Sequence, residues 1–358
     1  MTADRPLLLA VDLDGDGAHP AAWRDSGRSP ADVLSPSAVR AAVALAETAG
    51  FALATFDDAP RPPAGEGLDA AGRIEAGTRA AYVSTLTDRI GLAPTLHVTT
   101  TEPFHLATQL ASLDHASRGR AAWVVGAADA ADDLATIGAP ALGADDLRLQ
   151  VRDVVEVARR LWDSWQDDAV IKDVATGRYL DSDRVHHVDF TGHAFTVKGP
   201  LITPRPPQGQ VVVVAPSELE IDDLADVVLV AAPDLDAVRA RADRARAGGV
   251  RSVFVDLEVV LDAAGESAAD RLARLDAATG WRAGRRLRHV GTAAALVDLL
   301  AALAPVVDGV RLLPAVHRLD LAAVLDDVLP VLTYRAPAAG ATLRESLGLP
   351  RPANRFVA

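Results

Sequence analysis

Cysteine is absent from the chain, which removes disulfides, thiolate catalysis, zinc ribbons and cysteine-held iron–sulfur clusters in one step and fits a reducing cytosol. Lysine is almost absent too: only Lys172 and Lys198 occur, arginine carrying the rest of the positive charge. That bias fits a GC-rich coding sequence and implies no mechanism. No apolar run reaches membrane-spanning length. No N-terminal stretch joins a basic flank to an apolar core and a small-residue cleavage site, because MTADRP runs straight into LLLAVDLD. A cytoplasmic protein is the expectation. The G-x-S-x-G elbow, the Walker loop and the H-E-x-x-H pair are all missing.

What is present is a 358-residue chain with 49% hydrophobic and 24% charged residues and a formal net charge of −13. This composition belongs to a globular protein. So acidic a surface repels phosphate backbones and anionic lipid, which argues against nucleic-acid and membrane partners. The one basic cluster, RAGRRLRH at 282–289, has no interleaved aromatics and reads as a solvated loop or helix end.

Eight short apolar runs alternate with longer stretches of helical period, the pattern of βα units on a parallel sheet. The runs are 7–14, 51–58, 91–98, 121–127, 210–216, 226–232, 251–257 and 309–316. Helical stretches lie between them, such as SPSAVRAAVALAETAG, which opens on Ser-Pro and closes on Gly. Eight repeats predict an α/β fold of one domain over 1–358, a (β/α)8 TIM barrel whose site lies at the C-terminal strand ends. The alternative is a doubly wound open sheet, but no strand leads into a glycine-rich phosphate turn. Residues 166–209, rich in Asp, His, Gly and Pro, break the rhythm between the fourth helix and the fifth strand. They are expected to form an insertion over the barrel mouth; 334–358 is read as a C-terminal tail.

Two polar motifs resemble metal sites. DLDGDG at 12–17 starts like a calcium loop, but its twelfth position is Trp23 where a bidentate carboxylate is required. His186 and His187 lie near Asp181, Asp183 and Asp189, yet no third ligand stands at a diagnostic spacing, so no metal is expected. The remaining polar residues cluster at predicted strand ends: Asp57 and Asp58, Thr99 to Glu102, and Ser217 to Glu220. Each set is also suited to capping the helix that follows.

Long ordered segments carry a resemblance: LAETAGFALATFDDA, RIEAGTRAAYVSTLTDRIGL, TTTEPFHLATQLASLDHASRGRAAW, EVARRLWDSWQDDAVIKDVATGRY, DRVHHVDFTGHAFTVKGPLITPRPPQGQ and TLRESLGLPRPANRF. On these the chain resembles the bacterial-luciferase-like flavin-dependent monooxygenases, on the branch of nitrilotriacetate and dibenzothiophene-sulfone monooxygenases. The resemblance implies a barrel that takes FMN as FMNH2 from a separate flavin reductase and inserts one oxygen of O2 into a small-molecule substrate. It implies a homodimer, or a heterodimer with a paralogue. Carried over position by position, Asp58 and Thr99 become cofactor-binding residues; no catalytic residue is assigned.

The departures from the family pattern are as informative. In SRGRAAWVVGA, Val124, Gly126 and Ala127 stand where the family has Asn and a Thr-Ser pair. Ala144 and Arg148 stand where it has the His and Tyr that reach the flavin phosphate. The fifth strand ends in APSELEIDD, which keeps Ser217 but loses the glycines of the phosphate turn and gains Glu218, Glu220, Asp222 and Asp223. Arg148 could replace the lost phosphate contacts, its planar fork being suited to that anion. The competing reading is a degenerate, non-catalytic subunit with an impaired phosphate site; a deazaflavin-dependent oxidoreductase is the third.

Overall fold

The computed structural model describes residues 6–29, 32, 34–61, 73–282 and 284–357. Eight parallel strands close a barrel: β1 Leu7–Asp12, β2 Leu53–Phe56, β3 Gly91–His97, β4 Ala122–Gly126, β5 Val212–Pro216, β6 Val227–Val230, β7 Ser252–Leu261 and β8 Gly309–Pro314. Each pairs with its neighbours in chain order, and the ring closes where Leu8 of β1 meets Gly309 of β8. The open-sheet alternative is excluded. All eight strands fall on the eight apolar runs. Strands covered on both faces must be apolar at nearly every position, which made them visible.

Among the described residues, seven helices of nine or more residues surround the strands: α1 Pro36–Thr48, α2 Ala76–Ser84, α3 Pro103–Ala116, α4 Ala144–Asp163, α5 Leu235–Ala247, α6 Ala268–Ala278 and α7 Ala293–Leu303. Their starts follow capping chemistry: Glu75 and Glu102 each accept two backbone N–H groups at the first turn of α2 and α3. Helix α6 and a ninth strand, Leu287–Gly291, which pairs with the second half of β7, are additions to the sequence reading. The 282–289 cluster is corrected accordingly. Its second half is strand, and Arg286 and Arg288 pair with Asp256 and Glu258 on β7, while Arg282, Arg285 and Arg286 are exposed.

Inward positions alternate along each strand. The lower lumen is apolar, filled by Leu8, Ala10, Leu53, Ala93, Val124, Val214, Leu229 and Phe254. Helix α8, Leu343–Leu347, seals the N-terminal face, with Leu343 packed so close to Gly91 that a Cβ there would lie 2.6 Å from its Cδ1. Arg344 fixes this plug through two 3.0 Å bonds to Asp226, which also takes Arg159.

Segment 166–209 contains two short hairpins. Its anchors to the rest of the chain run along α4, where His193 meets Asp146 and Asp153, and around the N-terminal face, where Arg205 binds Asp163 and Gln208 binds Asp114 and the Ala121 carbonyl. The His193 contact with Asp146 lies at the first turn of α4, on the side of the C-terminal strand ends, whereas Arg205 and Gln208 bind at the opposite face. Both flanks of the segment, the end of α4 and the start of β5, lie at the opposite face.

Candidate functional site

Two residues further along each inward row, the lumen becomes polar. Asp12 follows Leu8 and Ala10, Thr55 follows Leu53, Thr95 and His97 follow Ala93, Asp256 and Glu258 follow Phe254, and Arg311 follows Gly309. Arg311 holds Asp256 by two 2.7 Å bonds, and Thr55 donates to Asp12 at 2.7 Å. Burial works against the Asp256 charge, yet the Arg311 guanidinium keeps its carboxyl below the usual range. Asp12 lacks such a partner, and burial pushes it up to about 6 against the pull of Arg311. Of this layer the sequence reading singled out Asp12 alone, as the start of a calcium-like motif. Its signal was there: charged residues in step with inward apolar ones, as in VFVDLEVV.

A cavity of about 390 Å3 opens above this layer at the ends of β2 and β3, within the range of small-ligand sites. Asp58, Arg61, Arg73, Glu75, Thr95, His97, Thr100 and Thr101 contribute to its wall. The Asp58 carboxylate accepts from Ala59 N at 2.8 Å and Ala76 N at 2.7 Å, so it ties the end of β2 to the start of α2. His97 accepts from Ala128 N at Nδ1 (3.1 Å), which leaves the proton on Nε2 to donate to the Asp58 carbonyl at 3.2 Å. Its ring lies where a side chain at position 126 would go: a Cβ on Gly126 would be 2.7 Å from His97 Nδ1. The exchange of Thr for Gly at 126 therefore makes room for His97, a residue the sequence reading passed over. Thr99 is buried between cavity-wall residues, and its hydroxyl has no hydrogen-bond partner among the described residues.

The other two predicted residues sit elsewhere on the rim. Ser217 opens one 3-10 turn, Ser217–Leu219, after β5, and its hydroxyl faces Glu218 at 3.4 Å. Glu220 follows in a left-handed conformation with φ 52°. Arg148, in the first turns of α4, is half-exposed and pairs with Asp145 at 3.2 Å and Glu220 at 3.4 Å. Arg152, one turn on, is held by both oxygens of Asp223 at 2.9 and 2.6 Å. Asp58 and Thr99 are thus neighbours on adjacent strands, whereas Arg148 and Ser217 share a second sector through Glu220. Gln150 joins the sectors by donating to the Val98 carbonyl at 3.0 Å.

The motifs that suggested metals are used internally. Asp14 binds Arg73 and Arg79, and Asp16 binds Arg28. His186 contacts Gln166 and stacks on Phe356, while His187 meets the Gly199 carbonyl, so the two rings diverge. Among the described residues no helix is long and apolar enough to cross a membrane.

A flavin can be tested against these residues. The β2–β3 sector offers a cavity and, next in sequence to its wall residues Thr100 and Thr101, a buried hydroxyl without a partner among the described residues. The β5 sector does not fit a phosphate, since its serine stands beside Glu218 and its arginines are already paired.

Similar proteins agree with this architecture. N-acetyl-S-(2-succino)cysteine monooxygenase of Bacillus subtilis (strain 168) is 32% identical over 212 residues, 59% of this chain and 48% of that protein. Nitrilotriacetate monooxygenase component A of Aminobacter aminovorans is 38% identical over 148 residues, 39% of this chain and 31% of that protein. Dibenzothiophene-sulfone monooxygenase of Rhodococcus erythropolis is 34% identical over 152 residues, 42% and 34%. The chain spans about half the length of the first of these relatives and about a third of the other two. Among solved structures, an EDTA monooxygenase from Chelativorans sp. BNC1 superposes with a TM-score of 0.82 at 20% identity, over 97% of this chain and 99% of that one. A riboflavin lyase does so with a TM-score of 0.83 at 21% identity, over 96% of each chain. Residues 18–295 match the family described as luciferase-like monooxygenase, and the chain belongs to that family.

Proposed function

We propose that the chain is the oxygenase component of a two-component flavin-dependent monooxygenase, taking reduced FMN from a separate flavin reductase and oxidising a small organic molecule at the β2–β3 rim. The observation that carries this reading is the Thr99 hydroxyl. It is buried, next in sequence to the cavity-wall residues Thr100 and Thr101, with no partner among the described residues, and a buried polar group left unmade costs about 1–3 kcal/mol unless something satisfies it. Asp58 and Thr99 would hold the ring portion. The bound flavin would supply the activation of O2.

The chain's own contribution is placement and exclusion of water. Asp58 locks the strand end to α2, His97 fills the space freed by Gly126, and the Arg311–Asp256 pair makes a rigid floor. Arg148 and Ser217 are the family's phosphate-side positions, and here they offer little to a dianion. Oxidised FMN should therefore bind weakly, and the protein should purify colourless. The acidic turn after β5 favours a second reading, a non-catalytic subunit that pairs with a copy of itself or a paralogue.

Anaerobic titration with FMNH2, followed by admission of O2, separates the two. Saturable binding of FMNH2, with O2 uptake beyond that of free reduced flavin, supports the monooxygenase. No binding of either redox form supports the non-catalytic subunit.

A further inference from the structure

Three carboxylates around the lumen floor hold arginines of their own. Asp256 has Arg311, with one 2.7 Å bond to each oxygen, and Arg286 at 3.2 Å. Glu258 has Arg288 at 2.6 Å and Arg286 at 3.8 Å, and Asp14 has Arg79 at 2.7 Å and Arg73 at 3.1 Å. Asp12 lies among them, buried, with no ion pair among the described residues. Its Oδ1 accepts from the Thr55 hydroxyl at 2.7 Å, and its Oδ2 accepts only from Asp14 N, at 3.4 Å. The groups that face it are Thr55 and the exposed Asp57 of β2, Asp14 just beyond β1, and Arg311 of β8, whose short bonds go to Asp256. His317, after β8, donates from Nε2 to the Asp12 carbonyl at 2.9 Å; burial lowers its pKa to about 4, so it brings no charge near neutral pH. Burial raises the Asp12 carboxyl to about 6, Asp57 and Asp14 push the same way, and Arg311 opposes them.

A carboxyl with one weakly engaged oxygen can take a proton there and turn from acceptor to donor. Ionised, it works against any further negative charge brought into the mouth above it. Reduced flavin brings such a charge, because its ring loses the N1 proton near neutral pH. We propose that Asp12 couples binding at the mouth to a proton: an anionic ring such as reduced flavin enters together with one proton, taken from solvent onto Asp12 Oδ2, and leaves a neutral carboxyl in the floor beneath it. The O–H bond on Asp12 is the only bond formed, and no electron moves. This rests on the proposed monooxygenase function and adds how its site responds to pH.

The test is anaerobic calorimetry of the full chain with reduced riboflavin in buffers of different ionisation enthalpy, which reads the protons taken up per flavin bound. Asp12→Asn keeps an acceptor for Thr55 and removes the titrating group. The difference between wild type and this variant therefore isolates Asp12, since a proton lost by the flavin is common to both. It should approach about one proton at about pH 7.5 and fall to about 0.1 at about pH 5, where the free carboxyl is already protonated. Above about pH 6 the wild-type affinity, relative to that of the variant, should fall by about tenfold per pH unit. Thr55→Val is the second probe. It removes a hydrogen bond that favours the ionised form, so the onset of both effects should move to higher pH. Flavin binding with no proton difference between wild type and Asp12→Asn, or an onset that Thr55→Val leaves in place, would overturn the inference and leave the monooxygenase reading standing. Failure of reduced riboflavin to bind at any pH would overturn both.

Discussion

Two sectors of one barrel mouth use the same kinds of residue in opposite ways. At the ends of β2 and β3, Asp58 and Glu75 are spent on backbone N–H groups, while Arg73 pairs with Asp14 and Arg61 with Asp132 and Asp133 beside a cavity. At the end of β5 the arginines are spent on carboxylates: Arg148 on Asp145 and Glu220, Arg152 on both oxygens of Asp223. A count of charges would rate both sectors as mixed. The difference lies in what the carboxylates face: backbone N–H groups beside a cavity in the first sector, and arginine side chains in the second. Ligand capacity follows unsatisfied groups, not the presence of arginine or serine at a family position.

The contrast depends on a rigid floor beneath both sectors, so its largest perturbation is Arg311→Met. Loss of the guanidinium leaves Asp256 buried, with Arg286 at 3.2 Å as its remaining cation. Chemical denaturation should show a loss of about 3–5 kcal/mol, as for a buried pair broken on one side. The next effect concerns Asp12. Its folded pKa stands near 6, above the unfolded value near 4, so the native state holds the proton more tightly. Stability from this group is present below pH 4, is lost as pH rises to about 6, and does not change further. Asp12→Asn removes that loss while keeping an acceptor for Thr55. The unfolding free-energy difference from chemical denaturation, variant minus wild type, should rise between pH 4 and 6 and level off above 7, a change of up to about 3 kcal/mol.

Gly126→Thr restores the family residue and forces it against the His97 ring. A cost of about 1–3 kcal/mol is expected from overpacking, together with a shift of the His97 ring resonances in NMR. The smallest effect belongs to the β5 sector. Arg148→Ala should change stability by less than about 1 kcal/mol, as for an exposed pair, and should leave reduced-flavin affinity within twofold.

The barrel was legible because its strands are buried on both faces and its helices carry ordinary caps, as Ser35 does for α1. The strand Leu287–Gly291 was missed because the 282–289 cluster read as solvated, although the fold pairs Arg286 and Arg288 with Asp256 and Glu258; helix α6, whose Arg271 pairs with Asp320, was not read at all. Segment 166–209 was recognised as irregular, but composition does not encode which end of a barrel a loop packs against. Asp58 and Thr99 were legible by position. That the Asp58 carboxylate is consumed by Ala59 and Ala76 while the Thr99 hydroxyl is free depends on geometry alone, as does the pairing of Arg148 with Glu220.

The central claim is that the β2–β3 sector binds ligand while the β5 sector adds nothing for a phosphate. Anaerobic titration of the full chain with reduced FMN and with reduced riboflavin tests it most directly, read as the ratio of dissociation constants. The account predicts a ratio within about tenfold, because a phosphate arriving beside Glu218 and Glu220 finds cations already paired and gains no net charge-assisted bond. Reduced FMN binding about a thousandfold more tightly than reduced riboflavin, with the advantage abolished by Arg148→Ala, would contradict it.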